Sequence, residues 1–249
     1  MVVHSPFARV LPRVSTALLA IALSACSASS TTTQAEQDKG LEGEGTGTPT
    51  GTETNPYGKP YPTARIGTKA STHKKTAAGT PGDVMKNFKF YGYPKGDKSQ
   101  GLQQVSLADY FDPNTKNYRL IHIQAAAVWC GPCNQEAKAA ASIAGELKEK
   151  KVAWLAVLVE TSKRGSPSTQ GDLDKWLSAY PSDFSHVLDP NNAQFGVFFD
   201  AAAVPWNAQL DARTMEILHA STGGPGTAEG VRSEVDSWLK FLDGYAPAK

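Results

Sequence analysis

The sequence predicts an α/β domain in which a central mixed β-sheet is flanked by helices. Residues 120–128 form an apolar run of strand length, and a helical pattern follows directly after it. Residues 152–159 are almost continuously apolar, which is typical of a parallel strand buried on both faces. Residues 228–242 carry their apolar side chains on one helical face. These three segments predict a right-handed β-α-β core that a further helix closes.

The helix inside this core is predicted from a stripe of small and apolar side chains at helical steps of 4, 3, 4 and 3. The members of the stripe are Cys133, Ala137, Ala140, Ala144 and Leu147. Alanines at these positions let a helix lie close against a sheet. Ahead of the core, residues 87–91 alternate as in a strand, and residues 105–110 predict the end of a second strand followed by a helical turn.

The second half of the chain predicts an insertion and a hairpin. Residues 171–179 are expected to form a helix, residues 184–188 a short strand, and residues 189–195 a turn or short helix. This is a central β-α insertion. Two further strands, 206–210 and 215–220, are joined by a turn.

The most informative motif lies where the first core strand passes into the helix. It reads Trp129, Cys130, Gly131, Pro132 and Cys133. Pro132 suits the first helical turn, where its missing N–H costs nothing. A helix N-terminus favours a thiolate over a thiol, and cysteines in such motifs have pKa values between about 3.5 and 7.5. We therefore predict Cys130 as the exposed attacking sulfur and Cys133 as the buried one, which exchange disulfides through a mixed disulfide.

Two other uses of a cysteine pair fit the residues less well. A structural zinc site needs four ligands, and the only other cysteine, Cys26, lies far upstream with no paired histidine motif. A purely structural disulfide across two residues does little to restrain the unfolded chain. The sequence therefore favours a redox pair, with no metal bound.

The motif and its setting resemble the thioredoxin superfamily, and more narrowly the membrane-tethered TlpA/ResA-type thiol–disulfide reductases of bacteria. The resemblance runs from about residue 82 to residue 242, and includes a Gly-Asp opening at 82–83 and the segment 106–110. It implies a thioredoxin-like fold with an N-terminal β-hairpin and a central βα insertion. It also implies that the cysteine pair is itself the electron carrier, so that no cofactor is needed.

The resemblance assigns further site residues. Pro205 matches the proline that follows a cis peptide bond beside the cysteines, which would free the backbone of Val204 to pair with substrate. Trp206 stands where the family usually has threonine, and we expect its ring to reshape the substrate groove. Trp129 is expected to shield the cysteines and contact substrate. The family tends to place a glutamate just after the second core strand, and Glu160 is therefore the predicted proton acceptor for Cys133.

One position departs from the thioredoxin pattern, and several histidines and phenylalanines are expected to have structural roles. Gln124 stands where thioredoxin has a buried aspartate, and an amide cannot ionise. The histidines His122, His186 and His219 are expected to be structural. Core packing is the expected role of Phe195, Phe198 and Phe199.

The N-terminus predicts export. Residues 1–25 have a basic start and an apolar run too short to span a bilayer, which is typical of a signal peptide. The run ends in a sequence similar to a lipobox, so Cys26 is the expected lipidation site. We expect residues 26–80 to be the lipid anchor and a disordered linker rich in threonine, glycine and serine, and residues 81–249 to be the thioredoxin-like domain. Ser27 after the cysteine weakly favours the outer membrane.

These features predict an exported, lipid-anchored thiol–disulfide oxidoreductase on the periplasmic side of a bacterial cell envelope. The expected partners are client proteins with thiols or disulfides and a membrane-embedded electron donor. The net charge of +1 suggests no nucleic-acid partner. The Gly-Pro spacer is that of thioredoxin, a reductant, so reduction of clients is the favoured direction. A disulfide-forming oxidase stays open as an alternative.

Two alternatives come from other classes of protein. A Cu(I)-handling metallochaperone would use the soft thiolates of the pair. Thioredoxin-like copper chaperones, however, use a three-residue spacer and a positioned histidine that this motif lacks. A thiol peroxidase would carry a threonine shortly before an isolated cysteine, and residues 127–129 offer none.

Overall fold

The computed structural model describes residues 53–76 and 78–247. Its seven strands are β1 Lys89–Tyr93, β2 Gln103–Ser106, β3 Leu120–Ala127, β4 Val152–Glu160, β5 Ser185–Leu188, β6 Trp206–Asp211 and β7 Glu216–Thr222. Its α-helices are α1 Gly131–Ser142, α2 Ala144–Glu149, α3 Gln170–Ala179 and α4 Ala228–Gly244. Short 3₁₀ turns lie at Pro94–Gly96, Leu107–Tyr110, Pro190–Asn192 and Phe195–Val197.

The strands form one mixed sheet in the order β2-β1-β5-β4-β3-β6-β7. Strands β3, β4 and β5 are parallel, whereas β1 runs antiparallel to β5 and β6 runs antiparallel to β3. Strands β1 and β2 form the predicted N-terminal hairpin. The predicted α/β class with a mixed sheet, an N-terminal hairpin and a central βα insertion is therefore confirmed.

Strand β3 is the centre of the sheet and positions the cysteine motif. All eight of its residues are buried, because β4 and β6 pair with its two edges and the rest of the fold covers both of its faces. Two of these residues, His122 and Gln124, are polar and must therefore find partners inside the protein. The strand ends three residues before Cys130, so the motif lies at the carboxyl edge of the parallel strands.

Strand β1 begins two residues later than predicted, at Lys89. The reason is that Asn87 is used as a local acceptor instead of as a strand residue. Its Oδ1 accepts hydrogen bonds from Ser106 Oγ at 2.6 Å and from Ala108 N at 2.8 Å. These bonds fix the entry to β1 against the turn that follows β2.

The helix after the cysteines is divided, whereas the sequence predicts one continuous helix through Leu147. Helix α1 ends at Ser142, because the next residue, Ile143, has a φ of −122° and a ψ of 19°, outside the helical region; α2 then starts at Ala144. Both the β-branched Ile143 and Gly145 have low helix propensity, which makes this the weakest point of the stripe. Cys133, Ala140 and Leu147 are nevertheless all buried, as predicted.

Residues 53–76 differ from the predicted disordered linker, because the side chains of Asn55, Tyr61 and His73 are buried. Asn55 Nδ2 donates to the carbonyl oxygen of Phe111 at 2.8 Å, and Tyr61 Oη donates to that of Met85 at 2.8 Å. A low apolar content predicts disorder only when the few apolar side chains find no surface to cover, and here the domain offers that surface.

Tyr61 provides a test of this packing. Its ring is 3% exposed and makes an edge contact with Phe111. We expect Tyr61→Ala to lower the free energy of unfolding by about 3 kcal/mol or more, because the substitution leaves a cavity and an unpaired carbonyl. Urea unfolding would measure it. The matched control is Tyr57→Ala, since Tyr57 is 49% exposed, and its cost should stay within about 0.5 kcal/mol. Equal costs for the two variants would contradict the packing.

The predicted signal peptide, residues 1–25, and the predicted lipidation site, Cys26, lie outside the described residues. Within the described ranges, no helix has both the length and the apolar character that crossing a membrane requires.

Candidate active site

The two cysteines form a disulfide at the start of α1. Cys130 is the N-cap residue of the helix, and its Sγ accepts a hydrogen bond from the Cys133 backbone N–H at 3.1 Å. Pro132 lies in the first helical turn, as predicted. Both spacer residues, Gly131 and Pro132, are exposed. The N–H of Cys133 therefore points at Cys130 Sγ and, with the helix N-terminus, would stabilise the thiolate when the disulfide opens.

The access to Cys130 differs from the prediction. The residue was expected to be exposed, but only 1% of its surface is accessible, while Cys133 is fully buried as predicted. The carbonyl oxygen of Val204 lies 3.5 Å from Cys130 Sγ, and the bond to Cys133 occupies another side of the sulfur. The sulfur is therefore enclosed by the loop before β6 in this disulfide form.

That loop contains a cis peptide bond between Val204 and Pro205, at the position that the sequence predicts. Val204 is half-buried. Its backbone N–H has no hydrogen-bond partner within the described part of the chain. The carbonyl oxygen of Pro205 accepts from Gly223 N at 2.7 Å, which ties the loop to the end of β7. The N–H of Val204 is therefore free to donate a hydrogen bond, on the residue whose carbonyl oxygen contacts Cys130.

The sequence predicts that the ring of Trp206 reshapes the substrate groove, and the structure buries most of this ring in an aromatic cluster. The ring is 3% exposed and stacks on Phe199, with ring centroids 4.9 Å apart and an interplanar angle of 15°. Phe195 and Phe198 lie around it in the same aromatic cluster. Burial of the apolar indole in this cluster is favourable, and it fixes Trp206 directly after the cis Val204–Pro205 bond.

Trp129 and Glu160 form one unit beside the cysteines. The indole N–H of Trp129 donates to Glu160 Oε2 at 2.6 Å, and the guanidinium of Arg164 lies 3.9 Å from the centre of the indole ring. Glu160 is the last residue of β4 and is 5% exposed. The carboxylate predicted as the proton acceptor is therefore bound to the tryptophan that precedes Cys130.

A second carboxylate, Glu136, lies three residues after Cys133 on α1 and is not predicted as a site residue from the sequence. It is fully buried on α1, one turn after Cys133. Its Oε2 accepts from Gln124 Nε2 at 3.2 Å and from Asn207 Nδ2 at 3.1 Å. Gln124 Nε2 also donates to the Cys133 carbonyl oxygen at 3.2 Å. Gln124 thus connects a buried carboxylate to the backbone carbonyl of Cys133.

Burial raises the pKa of Glu136 to about 7, against the opposing effect of the hydrogen bonds from Asn207 and Gln124. A carboxyl group with such a pKa can both accept and release a proton near neutral pH. The sequence carried one signal for it. Glu136 falls on the apolar stripe, between Cys133 and Ala137, and a lone charged residue on a buried helical face needs a reason to be there.

Gly224 makes room for this carboxylate. A Cβ atom at this position would lie 2.3 Å from Glu136 Oε1 and 2.4 Å from Asn207 Nδ2. We expect Gly224→Ala to lower the free energy of unfolding by about 1–3 kcal/mol, because the methyl group overpacks the buried pair. Urea unfolding is the measurement.

The matched control for this substitution is Gly226→Ala. A methyl group there would meet first the end of the exposed Gln135 side chain, at 3.2 Å, which can turn away. The control should be nearly neutral. An equally stable Gly224→Ala variant would show that the backbone at residue 224 is free to move away from Glu136.

In residues 53–76 and 78–247, no three histidine, cysteine, aspartate or glutamate side chains come together in a way that could hold a metal ion. The fold and the cysteine pair at a helix N-terminus define a thioredoxin-like oxidoreductase. Residues 81–215 match the model of the AhpC/TSA family. The chain therefore belongs to the AhpC/TSA family.

Solved structures with a similar fold include three from bacteria. AhpC of Enterococcus faecalis has 14% identity and a TM-score of 0.50, with 68% of this chain and 98% of that protein covered. A candidate thiol:disulfide interchange protein, DsbE, of Chlorobium tepidum has 22% identity and a TM-score of 0.47, with 64% and 98% covered. StoA of Bacillus subtilis has 17% identity and a TM-score of 0.44, with 60% and 96% covered. At these identities the likeness concerns the fold alone. No curated protein matches the chain.

Proposed function

We propose that this protein reduces disulfide bonds in exported client proteins, with Cys130 and Cys133 as the two-electron couple. The observation that carries the proposal is the Cys130–Cys133 pair at the N-cap of α1, beside the cis Val204–Pro205 bond. The pair needs no further group, since two thiols become one disulfide when two electrons leave.

The reaction runs in two exchanges. In the reduced protein, the Cys130 thiolate attacks one sulfur of a client disulfide, which forms a mixed disulfide and releases one client thiolate. Cys133 then loses its proton and attacks Cys130 Sγ. The Cys130–Cys133 disulfide forms, and the second client thiolate leaves. The client gains two electrons and the protein loses two.

Glu136 is the proposed proton acceptor for Cys133. Both residues are buried on α1, and Gln124 donates to the Cys133 carbonyl and to the Glu136 carboxylate with the same Nε2 atom. A thiol in such a place cannot lose its proton directly to solvent. The carboxylate would take it directly or through one water, and return it when the pair is reduced again. Glu160, the acceptor predicted from the sequence, stays as the rival for this role.

The client is proposed to bind along the loop before β6. An extended client segment would accept a hydrogen bond from the free N–H of Val204 and place its sulfur against Cys130. Since Cys130 is enclosed in the disulfide form, the partner that re-reduces the pair has to displace the half-exposed Trp129 or the Val204 carbonyl first. Access to the sulfur is thus part of the proposed recognition.

The proposed compartment is supported by the N-terminal sequence features alone. We propose that residues 1–25 direct export, that Cys26 carries the lipid, and that the domain works at the periplasmic side of the envelope, on the outer membrane. A membrane-embedded donor is the proposed source of electrons.

The reduction potential of the couple tests the direction of exchange. It would be measured in the full chain with Cys26→Ser, which leaves only the one pair of cysteines. We expect a value near that of thioredoxin, about −270 mV, together with reduction of insulin disulfides. A potential above about −150 mV would assign an oxidase instead. Tight Cu(I) binding without insulin reduction would favour metal handling, and rapid consumption of hydroperoxide would favour a peroxidase.

A further inference from the structure

Glu136 is connected to a second set of buried polar side chains that the exchange reaction does not use. Asn207 on β6, His122 on β3 and Gln209 on β6 are each at most 3% exposed. Gln209 Nε2 lies 3.2 Å from His122 Nδ1, His122 Nε2 lies 3.0 Å from Asn207 Oδ1, and Asn207 Nδ2 lies 3.1 Å from Glu136 Oε2. Four side chains thus form one continuous series.

The direction of each hydrogen bond in the series is determined by its neighbours. Asn207 Nδ2 contacts two acceptors, the Glu136 carboxylate and the Gly223 carbonyl oxygen at 3.0 Å, so the amide nitrogen has to be on this side. Asn207 Oδ1 therefore faces His122 and can only accept. His122 must carry its proton on Nε2, and its bare Nδ1 accepts from Gln209.

We propose that Gln209, His122 and Asn207 form a one-way chain of donors that holds the Glu136 carboxylate, and that His122 is its positioning residue. The proposal rests on the proposed role of Glu136 and adds the residues that set it. Hydrogen bonds that donate in the same direction polarise one another, so each donor strengthens the next. A donated hydrogen bond favours the ionised form of a carboxyl group.

The surroundings keep His122 neutral, as the proposed series of donors requires. Its ring stacks on Trp154, with centroids 3.8 Å apart and an interplanar angle of 18°. Burial lowers the pKa of His122 to about 4, against the hydrogen bond to Asn207 and the charge of Glu234 on α4, and with the support of His219 on β7. Around Glu136, the groups that act on its charge are the neutral amides of Asn207 and Gln124. The imidazole thus acts as a fixed dipole and not as a titrating group.

The tautomer of His122 tests the direction of the hydrogen bonds in the donor series without any substitution within that series. Nitrogen-15 NMR of the full chain carrying Cys26→Ser should show a protonated Nε2 and a bare Nδ1 at His122 from pH 5.5 to pH 8. A proton on Nδ1 would reverse the central hydrogen bond and overturn the proposal.

The second test measures the titration of Glu136 directly, by carbon-13 NMR of labelled glutamate carboxyls in the oxidised protein. Glu136→Gln identifies the signal by its loss. His122→Phe keeps the ring on Trp154 but removes the donor to Asn207, and we expect the midpoint of Glu136 to rise by about one pH unit. His122→Gln keeps one donor and one acceptor and should restore most of the midpoint.

The matched control is His186→Phe. His186 is also buried but lies on β5, which β4 separates from β3, and its ring contacts Ser182 instead of the Gln209–His122–Asn207 series. Its substitution should leave the Glu136 midpoint unchanged. If His122→Phe does not fold, Gln209→Met removes the far donor and should shift the midpoint in the same direction by less. The proposal is overturned if neither His122→Phe nor Gln209→Met shifts the Glu136 midpoint by more than His186→Phe does.

This experiment separates the inference from the proposed function. The Glu136 midpoint is read from its own carboxyl signal, so it needs no exchange activity. If the midpoint shifts as expected while Glu136→Gln leaves the exchange rate unchanged, the donor chain stands and the catalytic role of Glu136 fails. If Glu136→Gln slows exchange while His122→Phe leaves the midpoint in place, the catalytic role of Glu136 stands and the donor chain fails.

Discussion

Cys133→Ser is expected to stop turnover and to trap the client on Cys130. The first exchange needs only the Cys130 thiolate, which the first turn of α1 stabilises. The second exchange needs a sulfur at position 133. Without it the mixed disulfide has no internal resolving group, and insulin reduction should fall to the uncatalysed rate. The covalent complex would be measured by intact mass on a disulfide-bonded client peptide, in the Cys26→Ser chain.

Cys130→Ser provides the matched control for the trapping experiment. It retains a cysteine at position 133, but this residue is fully buried and lies inside the helix. We expect no turnover and no covalent complex. If Cys130→Ser traps the client as well as Cys133→Ser does, the attacking sulfur is Cys133 and the assignment of the two roles is reversed.

Glu136→Gln is expected to slow the second exchange by about 100-fold at pH 8, because the base that takes the Cys133 proton is removed. In the unaltered protein the carboxylate form is populated above about pH 7. The rate of resolution should therefore rise through pH 7, and this rise should be absent from the variant. Rapid-mixing kinetics of the mixed disulfide between pH 5.5 and pH 9 would measure both profiles.

Glu160→Gln is the matched comparison for this profile, since it removes the other buried carboxylate of the site and keeps an oxygen for the Trp129 indole. It should retain the rise through pH 7. If Glu160→Gln loses the rise and Glu136→Gln keeps it, Glu160 is the proton acceptor, as the sequence alone predicts.

The raised pKa of Glu136 also makes the free energy of unfolding depend on pH. Its pKa is about 7 in the folded protein, against a reference value of 4.5. The folded state therefore binds the proton more tightly, and the stability that this provides is present below about pH 4.5 and is lost as the pH rises through 7. The full effect corresponds to about 3 kcal/mol. In urea unfolding, the free energy of unfolding of Glu136→Gln should increase relative to that of the unaltered protein between pH 5 and pH 8.5. A difference that stays constant with pH would contradict the raised pKa.

The position of the cysteine pair could be predicted from the sequence because local patterns on both sides of the pair indicate the flanking strand and helix. The apolar period of residues 120–128 and the helical steps from Cys133 onward place the pair between a strand and a helix, whatever the rest of the chain does. Pro205 was predicted from family resemblance, and the cis bond is present. The burial of Cys130 was missed, because the Val204 carbonyl that encloses it comes from a loop 74 residues away.

By itself, the sequence determined the class of fold, the order of its elements and the reactive couple, since periodicity, turn residues and a five-residue motif are local properties. Only the tertiary structure decided that the Glu136 carboxylate is buried and held by Gln124 and Asn207. Gln124, Glu136 and Asn207 belong to β3, α1 and β6, and no local pattern relates them. They interact because pairing of β3 with β6 brings Gln124 opposite Asn207 and α1 lies over both. The burial of Glu136 at that contact, and the shift of its pKa, are consequences of packing that appear only once the sheet has formed.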